Sequence, residues 1–547
     1  MRGKPLRVTP TQWRTLEALR RECAGCGREL KWNYTKHRTV ATLSGVLGLE
    51  VRIYVCLNRE CSYYRRPYHP EEEGRIALPY YGYGLDVLAL IGALRYREHA
   101  SVLQIHGQLL ARGLQMGKRN VTYLMECYDE LVTLSVDRSA RRERLRCQGR
   151  AILAIDGLQP DVGQEVLWLI REVLSREVLL ARPLLSSASS ELAGLLRKAS
   201  RELDVPVVGA VSDGQESIRL AVAEALPDVP HQLCHFHYLR QAAFPIYEAD
   251  RHAKKELKKW VRGVRRVERA MEEQEDEVAQ ITQGYCAAIR AALTDDGQAP
   301  LDPGGLQLQE RLSAISQSLE AVTTPKGRLP KPLESIKKIL HRALDKTATL
   351  WPDIRRAYDW LWEAAHILKN TAAEGAESVK ARYAALRDRV RDQAEQAGSL
   401  QEAVAHFLAV TQSFWPGLFH CYAVPGLPAT NNDLEQFFGS IRHHERRVSG
   451  NKKASASLVL RGAVHVFAYV LTVLAPFTAE QLAPADLEAW RKQRRTLRAR
   501  RQTRVLQRRF RRNPGKYTPR GQIFGFTSSQ CWVINGALNP ARARVEA

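Results

Sequence analysis

Three acidic residues, far apart along the chain, have the type and local setting for divalent-metal chemistry. Asp156 stands in LAIDG and Asp213 in AVSDG, each after an apolar run and before a glycine. Asp-Gly after a strand is by itself a common turn signal, because both residues tolerate turn backbone angles. Two of them at the ends of neighbouring strands would also bring two hard oxygen donors to one sheet edge, where Mg2+ or Mn2+ is held by carboxylates. A third acid lies in ATNNDLEQFFGSIRHHERRVSG, where Glu435 shares a helix face with Phe438, Gly439 and Arg442, and Asp433 is its rival. Asn432 and Glu435 equally fit a capping box, with Asn432 as the cap and Glu435 reaching back to its amide. Three such carboxylates suit phosphodiester transfer: one ion activates water or a 3′-hydroxyl, a second stabilises the leaving oxygen, and Asp156 bridges them.

A second set of donors is soft. Cys23 and Cys26 form a C-x-x-C turn in ECAGCGREL, and Cys56 and Cys61 a looser knuckle in VCLNREC. One C-x-x-C alone could be a redox pair; a second pair after the alternating, β-rich TVATLSGVLGLEVRIYV points to a ribbon whose two knuckles clamp one structural Zn2+. The run PHQLCHFHYLRQ is also dense in ligands, with His231, Cys234, His235 and His237. It lacks the paired knuckles of a zinc site, and its meaning depends on its surroundings.

Those surroundings are legible as elements. After the ribbon (residues 1–78), YGLDVLALIGALRYREHA, SVLQIHGQLLARG and KRNVTYLMECYDELVTLSV read as three helices (79–140). Ser101 and Asn120 are the expected N-caps and Gly113 the expected C-cap. Either this is a plain packed subdomain, or a helix-turn-helix that lays Lys118, Arg119 and Asn120 in a major groove. RRERLRCQGR (141–150) reads as a basic linker. Then AILAIDGLQ, QEVLWLIREVLS and REVLLARPLL predict a three-stranded meander. The helix SSASSELAGLLRKASRELD, the strand VPVVGAVSDG, the helix ESIRLAVAEALP and HQLCHFHYLRQ as a fifth strand follow. The order β-β-β-α-β-α-β is that of an α/β ribonuclease H-like fold, its first part spanning 151–243. A large all-α insertion is expected over 244–425, in two groups separated by Pro/Gly-containing stretches at TDDGQAPLDPGG and TTPKGRLPKP. Helices returning to the sheet are expected over 426–475, and a basic C-terminal region over 476–547.

Composition sets the partner. The 547 residues carry a net charge of +23, which points to a polyanion. Much of the excess lies in RKQRRTLRARRQTRVLQRRFRR, Arg491 to Arg512, where Arg494, Arg495, Arg508 and Arg509 are expected on phosphates unless the segment is merely a solvated tail. Ten cysteines in so long a chain do not make a disulfide scaffold. With no long apolar run and no apolar leader, a cytoplasmic, nucleoid-associated protein without membrane contact is expected.

Taken in order, Asp156, Asp213, the C-x-x-H of Cys234 and His237, the helical insertion and T-N-N-x-x-E from Thr430 to Glu435 resemble DDE transposases. The likeness is to Mutator-like elements and related bacterial insertion sequences, over about Ala151 to Leu471. The resemblance implies that Asp156, Asp213 and Glu435 hold the metal ions, and that His237 with Cys234 shapes the site near the scissile phosphate while His235 is incidental. It also implies that the N-terminal parts bind element ends in double-stranded DNA, that Arg442, Arg446 and Arg447 lie near DNA, and that a homodimer or larger assembly acts on paired ends. Two rival readings use the same parts: a domesticated relative acting as a DNA-binding regulator, and a structure-specific nuclease.

Overall fold

A computed structural model describes residues 8–136, 138–159, 165–322, 328–451, 456–484 and 486–513. The chain divides into two compact units, Met1–Val136 with His444–Ala547, and Asp137–His443. Among the described residues no helix is long and apolar enough to cross a membrane.

The first unit starts with a three-stranded sheet, β1 (Gln12–Leu16), β2 (Lys31–Thr42) and β3 (Gly45–Val55), in the order β1-β3-β2. β2 and β3 form the antiparallel ribbon, and β1 adds in parallel to β3. Alternation along β3 buries Leu49, Val51 and Ile53 against Leu16 and Val40, as a half-buried ribbon requires. Three helices follow: Leu85–Tyr96, Val102–Ala111 and Lys118–Leu134. Ser101 forms the expected N-cap, as a full capping box with Gln104, and Gly113 takes the left-handed conformation just past the second helix. Asn120 is not a cap. The third helix starts three residues earlier, with Gly117 as its N-cap, so Lys118, Arg119 and Asn120 form its exposed first turn.

Packing divides the segment expected over 426–475. From His444 onward the chain belongs to this first unit, where the helix Ala463–Leu474 packs on Lys118–Leu134 and Leu85–Tyr96. Thr472 shares a hydrogen bond of 2.7 Å with the buried Tyr128 hydroxyl, and Arg461 pairs with Asp129 at 3.2 Å. The basic segment is a 26-residue helix, Leu487–Arg512, lying against Lys118–Leu134.

The second unit holds a mixed five-stranded sheet of β4 (Ala151–Leu158), β5 (Val166–Glu172), β6 (Val178–Leu184), β7 (Val207–Ser212) and β8 (His231–Leu233), in the order β6-β5-β4-β7-β8. The meander β4-β5-β6 is antiparallel, and β7 and β8 add in parallel to the other edge of β4. Helices Ser189–Arg201 and Glu216–Ala225 bury Leu192, Leu196, Ile218 and Val222 with Leu153 and Ile155 of β4. Two expectations fail here. Residues 141–150 are not a linker: the helix Arg138–Gln148 runs through them, with Leu145 in the sheet's core and Arg144 paired with Glu177 at 2.7 Å. The fifth strand is only three residues long, because Cys234 caps a helix that occupies His235–Ala242.

Beyond it, among the described residues, eight α-helices between Phe244 and Phe414 share one apolar core that includes Leu257, Ile289, Leu312, Leu340, Leu361, Tyr383 and Phe407. The expected break at TDDGQAPLDPGG is therefore an internal corner and does not separate two groups. Buried Asp250 accepts from the Gly305 and Leu306 amides at 2.7 and 2.8 Å, which pins the start of the next helix. Residues 323–327 of the second stretch lie outside the described residues.

Candidate functional site

The acids of the second unit meet through strand register. β4 and β7 run parallel, and their last pairing is Ala154 with Val211. Asp156 and Asp213 each lie two residues further on, so they reach the same level of the sheet, where the Asp213 charge acts on Asp156. Asp156 does not end its strand as expected. β4 continues to Leu158 against β5, with Gly157 opposite Trp168. A Cβ at Gly157 would sit 2.7 Å from Val166, so glycine follows the acid because the neighbouring strand leaves no room. Asp213 leaves β7 in a turn, where its carboxylate accepts from the Gln215 amide at 2.9 Å.

The third acid arrives on the helix Asn432–Ser449. Asn432 is its first residue and not its cap; the amides of Leu434 and Glu435 both bond the Asn431 carbonyl, at 3.1 and 3.2 Å. The capping-box reading of Glu435 thus falls away: its carboxylate lies 3.3 Å from His237 Nε2. Asp433 faces elsewhere, held by Arg171 of β5 at 2.7 Å, with the same guanidinium over the Phe437 ring. Asp156 registers the convergence. Burial, then the negative charge of Asp213, pushes its carboxyl up to about 7; the Gly157 amide opposes this, Glu435 adds to it, and Arg442 opposes it.

PHQLCHFHYLRQ proves to be the hinge of this arrangement. Cys234 follows Leu233, the end of β8, and is fully buried; its Sγ accepts from the Asn431 amide at 3.3 Å. The Asn431 side chain in turn donates to Asp156 at 3.3 Å, and its Oδ1 is buried without a hydrogen-bond partner. Because the strand stops before Cys234, His237 falls in the first turn of the following helix and reaches Glu435, while its Nδ1 has no hydrogen-bond partner. His235 is not incidental to the structure. It is buried, its Nε2–H donates to the Leu418 carbonyl at 2.7 Å, and burial lowers its imidazole to about 4.

The donor set fits a divalent ion: hard oxygens from Asp156, Asp213 and Glu435, with mutual repulsion that a cation would relieve. Their oxygens are not drawn together within 4.8 Å as a single closed cage would be. Beside Asp213 opens a groove of about 1200 Å3, lined also by Arg219, His237, Arg240, Phe244 and His406 among others. Asn431, Arg219, Arg240 and His406 are not among the residues expected from sequence. Asn431 lies inside the T-N-N stretch, but only the fold gives the direction of its amide.

In the first unit, Cys23, Cys26, Cys56 and Cys61 converge with all four sulfurs within 4.8 Å of one another. Cys23 and Cys61 are 3.6 Å apart and Cys26 and Cys56 3.7 Å. Four thiolates about 2.3 Å from a tetrahedral ion lie about 3.8 Å from each other, so this group could hold zinc. Amides of Gly25 and Tyr63 point at the sulfurs of Cys23 and Cys61, at 3.5 and 3.4 Å. A Cβ on Gly25 would meet Tyr63 at 2.8 Å, which accounts for the glycine inside the knuckle. The Arg28 amide, acting against burial, leads in bringing the Cys26 thiol down to about 6.

The basic residues separate into two kinds. Arg442, Arg446, Arg447, Arg508 and Arg509 are exposed, and so is Arg495, which pairs with Glu488 at 2.9 Å. Arg494 is not a phosphate ligand: it is buried, bonded to Glu130 at 2.7 Å and stacked 4.5 Å from the Tyr123 ring centre. No protein-family model matches the chain, and no curated protein matches it.

Proposed function

We propose that this chain is a DDE-type DNA transposase with a ribonuclease H-like catalytic unit, which cuts and joins DNA strands at the ends of its element. The observation that carries this reading is the convergence of Asp156, Asp213 and Glu435, three acids from separate segments, at one edge of the five-stranded sheet, felt in the raised carboxyl of Asp156. Nothing in a purely structural ion-pair network calls for three like charges in one place.

Asp156, Asp213 and Glu435 would hold Mg2+ or Mn2+. Bound there, such ions supply an activated water or 3′-hydroxyl oxygen and charge stabilisation for the departing oxygen. The chain's own groups do the positioning. Asn431 orients the Asp156 carboxylate, and Cys234 fastens the Asn431 backbone to the end of β8, so the helix carrying Glu435 is registered against the sheet. His237 steadies Glu435 through Nε2. Arg219 and Arg240 give the groove beside Asp213 its positive charge, suited to a phosphodiester strand. The cysteine ribbon, the exposed turn Lys118–Asn120 and the outer arginines of the basic helix make the first unit the DNA-holding part, with a homodimer or larger assembly bringing two ends together.

The decisive experiment uses duplexes bearing the inverted repeats that flank the gene, incubated with the purified full chain and Mg2+ or Mn2+. Joined products support a transposase. Cleavage without joining would make the chain a nuclease on the same site, and end binding without cleavage would make it a regulator.

A further inference from the structure

The first unit carries a second group of ligand-bearing side chains, distinct from its cysteines. His444, Glu445 and His465 are 0, 4 and 8 % exposed, and one ligand atom of each lies within 4.8 Å of the others. His444 and Glu445 are adjacent on one helix, and His465 stands on the helix Ala463–Leu474.

The rings are oriented from behind. His444 Nδ1 is 2.8 Å from His99 Nδ1, and the His444 ring packs against Tyr96 and Tyr469, with centroids 5.3 and 5.2 Å away. His465 Nδ1 faces the Tyr96 hydroxyl at 3.2 Å and the Asp129 carboxylate at 3.6 Å. Each imidazole thus spends its outer nitrogen on a neighbour. Both Nε2 atoms are buried and have no hydrogen-bond partner. His465 Nε2 lies 3.4 Å from Glu445 Oε1. Two donors about 2.0–2.1 Å from a shared tetrahedral ion are about 3.4 Å apart. A carboxylate or hydroxyl behind the outer nitrogen, with the inner nitrogen directed at a common point, is how ligating histidines are held.

We propose that His444, Glu445 and His465 form a buried two-histidine, one-carboxylate site for Zn2+, which ties the helical turn at His444 to the Ala463–Leu474 helix. Asp129 and Tyr96 position His465, and His99 positions His444. Imidazole and carboxylate donors suit zinc and its cobalt substitute over magnesium or calcium. The competing occupant is a proton, which would make His465 an imidazolium between Asp129 and Glu445. That accounts for His465 alone, since the inner nitrogen of His444 would still face no hydrogen-bond partner.

The test is the zinc content of the full chain after dialysis against metal-free buffer, with cobalt exchange as the spectroscopic probe. Two tightly bound equivalents per chain are expected. Cys23→Ser combined with Cys56→Ser removes one, and His465→Gln or His444→Gln removes the other. Cobalt-loaded protein shows thiolate charge-transfer absorption from the cysteines and separate nitrogen–oxygen ligand-field bands, and only the latter disappear in His465→Gln. A single equivalent in the wild-type chain, lost entirely with the cysteines, overturns the proposal. So does a second equivalent that survives both histidine substitutions, or one that is lost in Asp213→Asn. The wild-type count decides even where a histidine variant fails to fold.

Discussion

The cysteine group and the carboxylate group each gather side chains of one kind, yet they are built in opposite ways. Cys23, Cys26, Cys56 and Cys61 come from one ribbon, are nearly all buried, and close on themselves with sulfurs 3.6–3.7 Å apart across the two pairs. Asp156, Asp213 and Glu435 come from three segments and stay partly open, with a groove beside Asp213. A closed set spends its binding energy on folding; an open set keeps charge repulsion in reserve for a reaction.

The largest effect expected from this contrast is chemical. Asp156→Asn or Asp213→Asn should reduce cleavage and joining by on the order of 10³-fold or more while melting temperature and end binding hold. Strand-transfer assays beside mobility shifts read both. A variant that keeps its joining activity would remove that residue from the site. The reverse pattern is expected of Cys23→Ser with Cys56→Ser. The ribbon loses its metal and its fold, seen as one zinc lost and rapid proteolysis before about residue 70, while the second unit keeps its proteolytic resistance. Intact ribbon in that variant would break the comparison.

Cys234 sharpens it, being a thiol that works inside the open site. Cys234→Ala deletes the acceptor for the Asn431 amide and should cost about 1–3 kcal/mol in urea unfolding. It should also lower joining activity, because Asn431 and Glu435 lose their registration. Unchanged kinetics would make Cys234 mere packing.

Next in size is an acid sensitivity carried by His235. Its folded-state value of about 4 lies below the ordinary value of 6.5, so below about pH 6.5 the unfolded chain takes up a proton that the folded chain refuses. Stability contributed by this residue is present at neutral pH and is lost as pH falls, by about 2 kcal/mol at pH 5. Urea midpoints at pH 7.5 and 5.0 should show a steeper loss in wild type than in His235→Gln. Equal slopes would exclude His235 as the source.

The smallest effect divides the basic helix along the same line of closed against open. Arg508→Ala with Arg509→Ala should leave stability alone and reduce the salt dependence of DNA binding by about 0.9 in log–log slope for each phosphate no longer neutralised. Arg494→Ala should instead lower stability through the stranded Glu130 charge. A salt slope that moves with Arg494 and not with Arg508 and Arg509 would invert this assignment.

The same contrast explains which features are legible in the sequence. The four cysteines announce themselves because their spacing is local, and the succession of strands and helices around Asp156 and Asp213 is written in runs of apolar residues. Direction is harder. Whether Asp433 or Glu435 turns inward depends on Arg171, which stands on β5, far back in the chain. HQLCHFHYLRQ reads as one strand because its apolar and aromatic content suits a sheet, and only the hydrogen bonds of Cys234 and His235 to the 429–431 segment explain why it breaks. Arg494 cannot be told from its neighbours in a run of arginines, since its partner Glu130 lies far back in the chain.

One consequence concerns the order in which the molecule is made. The strand β8 ends at Leu233, whereas Glu435 is supplied about 200 residues later, after the whole helical core. At roughly 5–20 residues per second, a ribosome needs about 10–40 s to cross that interval. Throughout that time a nascent chain can carry a finished sheet with two acids but lacks the third, along with Asn431, whose side-chain amide donates to Asp156. A messenger cut short, or a translation that stalls, therefore yields a polypeptide without its complete acidic centre, and the proposed cutting activity cannot begin until the chain is past its last helical insertion.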